Sequence, residues 1–178
     1  MNDDILVFDA GPLNHFAREG WLGVLKAVVG SRAAVIPDVV VHELRVGASL
    51  DSRIEVALQA DWIEHRELCS SEELESFARF SALLVKRDRS RGEAAVLALA
   101  TTTGGTAVVD DGAARREARE CGVRLQPTLT LLCEAVRKEL LTIPLVAALA
   151  DDLLASQYRL PFGPGGFEKW ARDNGALS

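Results

Sequence analysis

Several signatures are missing from this sequence, and each absence removes a class of protein. The three cysteines, Cys69, Cys121 and Cys133, are odd in number and form no C-x-x-C pair. That argues against a disulfide framework or a cysteine-based zinc site and fits a reducing cytoplasm. No apolar run approaches the roughly 18 to 20 residues that span a bilayer, so no membrane segment is expected. The start, Met1-Asn2-Asp3-Asp4, carries acids where a secretory leader carries positive charge, so export is not expected either. The phosphate-cradling loops G-x-x-x-x-G-K-[ST] and G-x-G-x-x-G are absent, as is a G-x-S-x-G nucleophile elbow. His15, His42 and His65 form no H-x-H or H-E-x-x-H pattern, which leaves them as ordinary, partly buried histidines rather than zinc ligands. Positive charge is also short: 20 Lys and Arg against 26 Asp and Glu give a net charge of −6. This disfavours a broad basic surface that coats nucleic acid. It leaves open a carboxylate cluster that meets phosphate through a bound cation.

What is present fits one domain. With 178 residues, 48% of them hydrophobic, the chain can bury a core without cross-links. Ile5 to Phe8 is a short apolar run closed by Asp9-Ala10-Gly11-Pro12, which reads as a buried strand and a turn, followed by a helix from about Leu13. Ala33 to Ile36 reads as a second strand, and Pro37-Asp38 opens a helix with Asp38 as its N-cap. A short edge strand is expected around Asp61 to Glu64, and an amphipathic helix from Glu72 to Val85. After the charged stretch Lys86 to Arg91, Gly92 to Ala100 has strong helical propensity and Thr103-Gly104-Gly105 ends it. Thr106 to Val109 is a third strand, Gly112 to Cys121 a helix stopped by Gly122, and Val123 to Leu125 a fourth strand. Alternating strands and helices predict a parallel sheet covered by helices. From Leu129 the pattern is helical: Leu129 to Leu140, Leu145 to Ser156 and, after a Gly/Pro-rich loop, Phe167 to Asn174. The expected organisation is a single domain over 1–178, with 129–178 as its C-terminal helical appendage.

Two of the strands end in acids, Asp9 and the pair Asp110-Asp111. In open α/β sheets, ligands bind beyond the carboxyl ends of the strands. Glu43 and Glu93 lie on helices that begin near such ends, so four acidic segments are placed to converge on one cleft. Converging carboxylates repel and raise each other's pKa unless a cation compensates. Mg²⁺ or Mn²⁺ prefers oxygen ligands and can activate water against a phosphodiester. Each acid also has a structural alternative. Ser90-Arg91-Gly92-Glu93 matches a capping box, Glu43 fits a solvated helix face, and Asp111 fits the N-cap of the following helix. Asp9 is the acid that a buried strand leaves least able to stand without a partner. The basic clusters Lys86, Arg87, Arg89, Arg91 and Arg115, Arg116, Arg119 fit solvated faces, or a local positive rim in which Arg89, Arg91, Arg115 and Arg116 contact phosphate.

These segments carry a resemblance. Val7-Phe8-Asp9-Ala10-Gly11-Pro12-Leu13, His42-Glu43-Leu44, Gly92-Glu93-Ala94-Ala95 and Val108-Val109-Asp110-Asp111-Gly112-Ala113-Ala114-Arg115 resemble the four acidic motifs of PIN-domain proteins, in order and spacing. The bacterial and archaeal subgroup related to VapC-type toxins is the nearest in pattern, and the similarity continues through Pro127 to Leu132 and the C-terminal helices. The resemblance implies a three-layer α/β/α sandwich with a central parallel sheet and extra C-terminal helices. It implies a cytoplasmic, metal-dependent endoribonuclease using Mg²⁺ or Mn²⁺, with Asp9, Glu43, Glu93 and Asp110 or Asp111 as metal-binding and catalytic acids. Asp9 and the aspartate pair would be the direct ligands, with Glu43 and Glu93 acting through water. It further implies an RNA substrate and a small antitoxin protein over the cleft. The apolar C-terminal helices fit a homodimer, or burial of the same surfaces against the core. The sequence departs from the family at Ala10, where Thr or Ser is common. Two other readings stand beside it. Val7-Phe8-Asp9 and Val108 to Asp111 also resemble motifs of haloacid-dehalogenase-type phosphatases, but Gly11 falls where that family has its second aspartate. The third is an inert PIN-like module that only binds protein or RNA.

Overall fold

The computed structural model describes residues 5–84 and 91–177. The charged stretch at Lys86, Arg87, Arg89 and Ser90, and the acidic start from Met1 to Asp4, lie outside the described residues. Four short strands, β1 (Ile5–Phe8), β2 (Ala33–Pro37), β3 (Ile63–Arg66) and β4 (Thr106–Val108), pair in the order β3-β2-β1-β4, all parallel. β1 lies at the centre because it is wholly apolar: Leu6, Val7 and Phe8 are each at most 1% exposed. The register Phe8 opposite Val108 sets the ends of β1 and β4 side by side. The Asp9 N–H donates to the Val108 carbonyl at 3.1 Å, which carries that pairing one residue further.

Between β1 and β2 run α1 (Ala10–Arg18) and α2 (Leu22–Val29); between β2 and β3, α3 (Asp38–Leu50), a 3₁₀ turn (Ser52–Ile54) and α4 (Glu55–Leu58). The chain then crosses back through α5 (Ser71–Leu84) and α6 (Arg91–Thr103) to β4, and continues with α7 (Gly112–Glu120). α6 packs across β1, β2 and β4, with α5 and α7 against it, while α1 touches α2 and α3. The C-terminal helices are α8 (Thr128–Arg137), which packs on α2, then α9 (Ile143–Ala155) and α10 (Phe167–Asp173), which pack on each other. The result is the three-layer α/β/α architecture expected from the sequence.

α6 explains why the sheet is so well covered. Ala94 through Ala100 are buried without interruption, so this helix is apolar on every side and sits in the interior rather than on it. Its alanines let the flanking layers approach closely, while Leu97 and Leu99 fill the remaining volume.

Several expectations shift. α1 begins at Ala10 rather than Leu13, because Asp9 caps it and Pro12 is tolerated in the first turn. Pro37, not Asp38, is the N-cap of α3; Asp38 is the first helical residue, and its carboxylate accepts from the Leu68 N–H at 3.4 Å. α2 had no expectation in the sequence: its apolar residues form one short stripe with no capping side chain to mark its start. Val123 to Leu125 forms only one bridge, Ala107 to Leu125, rather than a strand. β3 is the fourth strand of the sheet, two residues later than expected.

Burial of α6 generates a direct test. Leu97→Ala removes a fully buried side chain from a helix packed on all sides and should cost about 2–5 kcal/mol. Urea unfolding of the variant measures this, and a loss well under 1 kcal/mol contradicts the packing described.

Candidate functional site

The chain runs from β1 outward to β2 and β3 and then back across to β4. The direction of travel reverses between β1 and β4, and a crevice opens there at the carboxyl ends of the strands. Asp9 follows β1 directly, and Asp110-Asp111 follow β4 after Val109. Glu43 lies in the second turn of α3, and Glu93 in the first turn of α6. All five side chains are half-buried.

Asp9 is central to this set. Its carboxylate caps α1, accepting from the Gly11 N–H at 3.3 Å. Burial pushes its pKa up to about 6; the Gly11 and Ala10 amides pull it down, and the charges of Asp110 and Asp111 push it up again. Ala10 thus supports the acid through its backbone, where a Thr or Ser side chain is expected in the family. Glu43 is raised to about 7 by burial and then by Asp9, against the opposing Gly92 N–H, which donates to Glu43 Oε1 at 3.1 Å. Glu93 is also raised to about 7, by burial first, then by Asp9, Glu43 and Asp111. The acids from four segments therefore face one another closely enough to interact.

The aspartate pair divides. Asp111 is the N-cap of α7, its Oδ1 accepting from the Ala113 and Ala114 N–H groups at 2.8 and 3.1 Å. Asp110 is turned to the C-terminal part of the chain. Its Oδ1 accepts from the Thr128 N–H at 2.9 Å, and its Oδ2 from the Thr128 hydroxyl at 2.6 Å and from the Tyr158 hydroxyl. Burial, and then the neighbouring Asp110, hold the Tyr158 phenol protonated. The Tyr158 ring meets His15 edge-on, with centroids 4.8 Å apart, and His15 Nδ1 lies 3.0 Å from Ser156 Oγ. Thr128, Tyr158 and His15 had no assigned role in the sequence; nothing in the local pattern around Tyr158 signals a partner 48 positions earlier.

Glycine at 92 is required by this geometry. A Cβ there would lie 2.6 and 2.8 Å from the two Glu43 carboxylate oxygens. Of the expected phosphate contacts, Arg91 and Arg116 are exposed, Arg116 pairing with Glu117 at 3.7 Å. Arg115 is half-buried, with its Nε enclosed and without a hydrogen-bond partner. Arg89 lies outside the described residues. Among the described residues, no three His, Cys, Asp or Glu side chains are gathered closely enough to hold a metal ion as they stand. The donor chemistry nevertheless fits a hard divalent cation. Every group is a carboxylate oxygen, and Asp9, Glu43 and Glu93 all have raised proton affinity, from burial first and from the neighbouring carboxylates second, both of which a cation would offset.

Two tests follow from this electrostatics. A carboxyl with a raised pKa binds its proton more tightly folded than unfolded, so its contribution to stability falls as pH climbs from the ordinary 4.5 through about 7. His15, whose pKa burial lowers, acts in the opposite sense over an overlapping window. The difference between wild type and Glu93→Gln isolates the carboxyl: the variant should gain in relative melting temperature between about pH 5 and about pH 8. A pH-independent difference contradicts the crowding of acids. Gly92→Ala should keep the fold, since helix propensity favours Ala by up to about 1 kcal/mol, while displacing the Glu43 carboxylate. NMR titration of Glu43 reads this as a changed pKa, and an unchanged titration contradicts the close approach.

Comparison with known proteins agrees with the fold. A family model described as PIN domain matches residues 5–162. No curated protein matches the chain. PIN domains are generally nucleases, typically served by divalent metals. The match runs from β1 to the loop before α10, covers most of the sequence and includes all four acidic segments, so the chain belongs to the PIN-domain family.

Proposed function

We propose that this protein is a Mg²⁺- or Mn²⁺-dependent endoribonuclease. The observation that carries the reading is the convergence of acids from four segments at the β1/β4 crevice of a nuclease-type fold, where burial and neighbouring carboxylates raise the pKa values of Asp9, Glu43 and Glu93. Asp9 would hold the ion with Asp111 or Asp110, while Glu43 and Glu93 orient water around it. A divalent ion bound there supplies Lewis acidity and compensates charge on the phosphodiester. Both aspartates influence Asp9, Asp110 the more strongly, but Asp111 also influences Glu93; this favours Asp111 as the acid that meets the ion.

The protein's own residues then have distinct tasks. Glu43 and Glu93 would orient the attacking water and take up its proton. The Gly11, Ala113 and Ala114 amides fix the aspartates so that little reorganisation is needed when substrate arrives. The toxin role and the antitoxin partner rest on the resemblance to VapC-type toxins, and the homodimer on the apolar character of the C-terminal helices. No described helix is long and apolar enough to cross a membrane.

Asp9→Asn separates function from folding. Asn caps a helix as well as Asp, so the fold is retained, and loss of one repelling charge should raise stability near pH 8. Metal-dependent cleavage of RNA should fall about a hundredfold or more. Cleavage at the wild-type rate by this variant contradicts the proposal.

A further inference from the structure

Two hollows flank the Asp110–Tyr158 hydrogen bond. One, of about 280 Å³, is walled by Arg115, Leu129 and Trp170 on the side of α8 and α10. The other, of about 250 Å³, lies on the His15 side and is bounded by Asp111 and Gln157. Both are lined by Asp110, Tyr158 and Arg159, so they adjoin across those residues. The aspartate pair thus borders a surface that carries two guanidinium groups and an indole. Arg115 has an enclosed Nε with no acceptor, and neither Arg115 nor Arg159 forms an ion pair among the described residues. The Asp110 oxygens are already taken up by Thr128 and Tyr158, which leaves these cations uncommitted.

The backbone is shaped to place this surface. After α9 ends at Ser156, Gln157 adopts φ +67, a left-handed conformation in which glycine is the usual residue. The Gln157 N–H donates to Leu154 and the Tyr158 N–H to Leu153, at 3.0 and 2.9 Å, turning the chain back across the strand ends. The Gln157 side chain is exposed at the wall of the second hollow.

We propose that the two hollows bind the nucleotides that flank the scissile phosphodiester of a single-stranded RNA. Arg115 and Arg159 take the phosphates, Trp170 offers a ring face to a base, and Gln157 offers an amide on the other side of Asp110. Cations that track a backbone beside an aromatic platform are the combination that recognises single strands. Trp170 is braced for the purpose by Phe162, with ring centroids 5.4 Å apart. The proposal rests on the ribonuclease reading above.

Steady-state cleavage of a short single-stranded RNA by wild type, Arg159→Gln, Trp170→Leu and Gln157→Gly tests it. Arg159→Gln should raise KM about tenfold with kcat within about twofold of wild type. Removing one phosphate contact should also lower the slope of log KM against log salt by about 0.7, a change that a structural role does not produce. Trp170→Leu should raise KM likewise. Gln157→Gly should raise KM while leaving the melting temperature unchanged or higher, since glycine relieves the strain. If Trp170→Leu fails to fold, the exposed Arg159 decides. Wild-type KM and salt slope in Arg159→Gln, or a loss confined to kcat, overturn the nucleotide site while leaving the nuclease intact. Absence of cleavage by wild type overturns the ribonuclease reading, and this site with it.

Discussion

A carboxylate at the end of a fully buried strand is costly, and the structure around Asp9 is organised by that cost. β1 has to be apolar to occupy the middle of the sheet, yet its next residue is an acid with two further acids one strand away. Backbone amides at Ala10 and Gly11 offset part of the burial, but the proton affinity of Asp9 remains raised. Like charges crowded in a buried place raise one another's proton affinity, and adding a cation is the direct way to relieve it. The helix that follows β1, the glycine at 92 and the cap of α7 all hold acids in a place where folding alone would not favour them. Proteins concede stability in this way where chemistry requires it.

The same site ties the C-terminal helices to the sheet. Through Asp110, the start of α8 and the segment after α9 are fastened to the end of β4, and Tyr158 carries the connection on to His15 in α1. The two adjacent aspartates therefore have different surroundings: one is held by the C-terminal region, the other caps a helix and faces Glu93. This gives the C-terminal region a part in shaping the crevice, which its helical pattern alone did not suggest.

Much of the core architecture was legible because the relevant signals are local. Three apolar runs with acidic or Gly-rich ends marked β1, β2 and β4, and the alanine-rich stretch from Gly92 marked α6. What was missed depends on contacts distant in sequence or on geometry without a side-chain signature. α2 has no capping residue, Leu125 reaches the sheet by a single bridge, and the Asp38 side chain turns to Leu68 instead of its own helix. At the site, the four acidic segments could be named from pattern, since acids at strand ends are visible in one dimension. The division between Asp110 and Asp111 could not, because it is made by Thr128 and Tyr158, which adjoin the site only after folding.

Net charge takes on a different meaning in this light. The excess of six negative charges excludes a basic coating surface, but the acids that matter are few and gathered in one crevice, with Arg115 and Arg159 beside it. A crystal of the full chain soaked in Mn²⁺ near pH 8 should show anomalous density for Mn²⁺ in contact with Asp9 and Asp111, with Glu43 and Glu93 around it and Asp110 still bound to Thr128 and Tyr158. Density elsewhere on the surface, with the crevice left without an ion at saturating Mn²⁺, would contradict this placement.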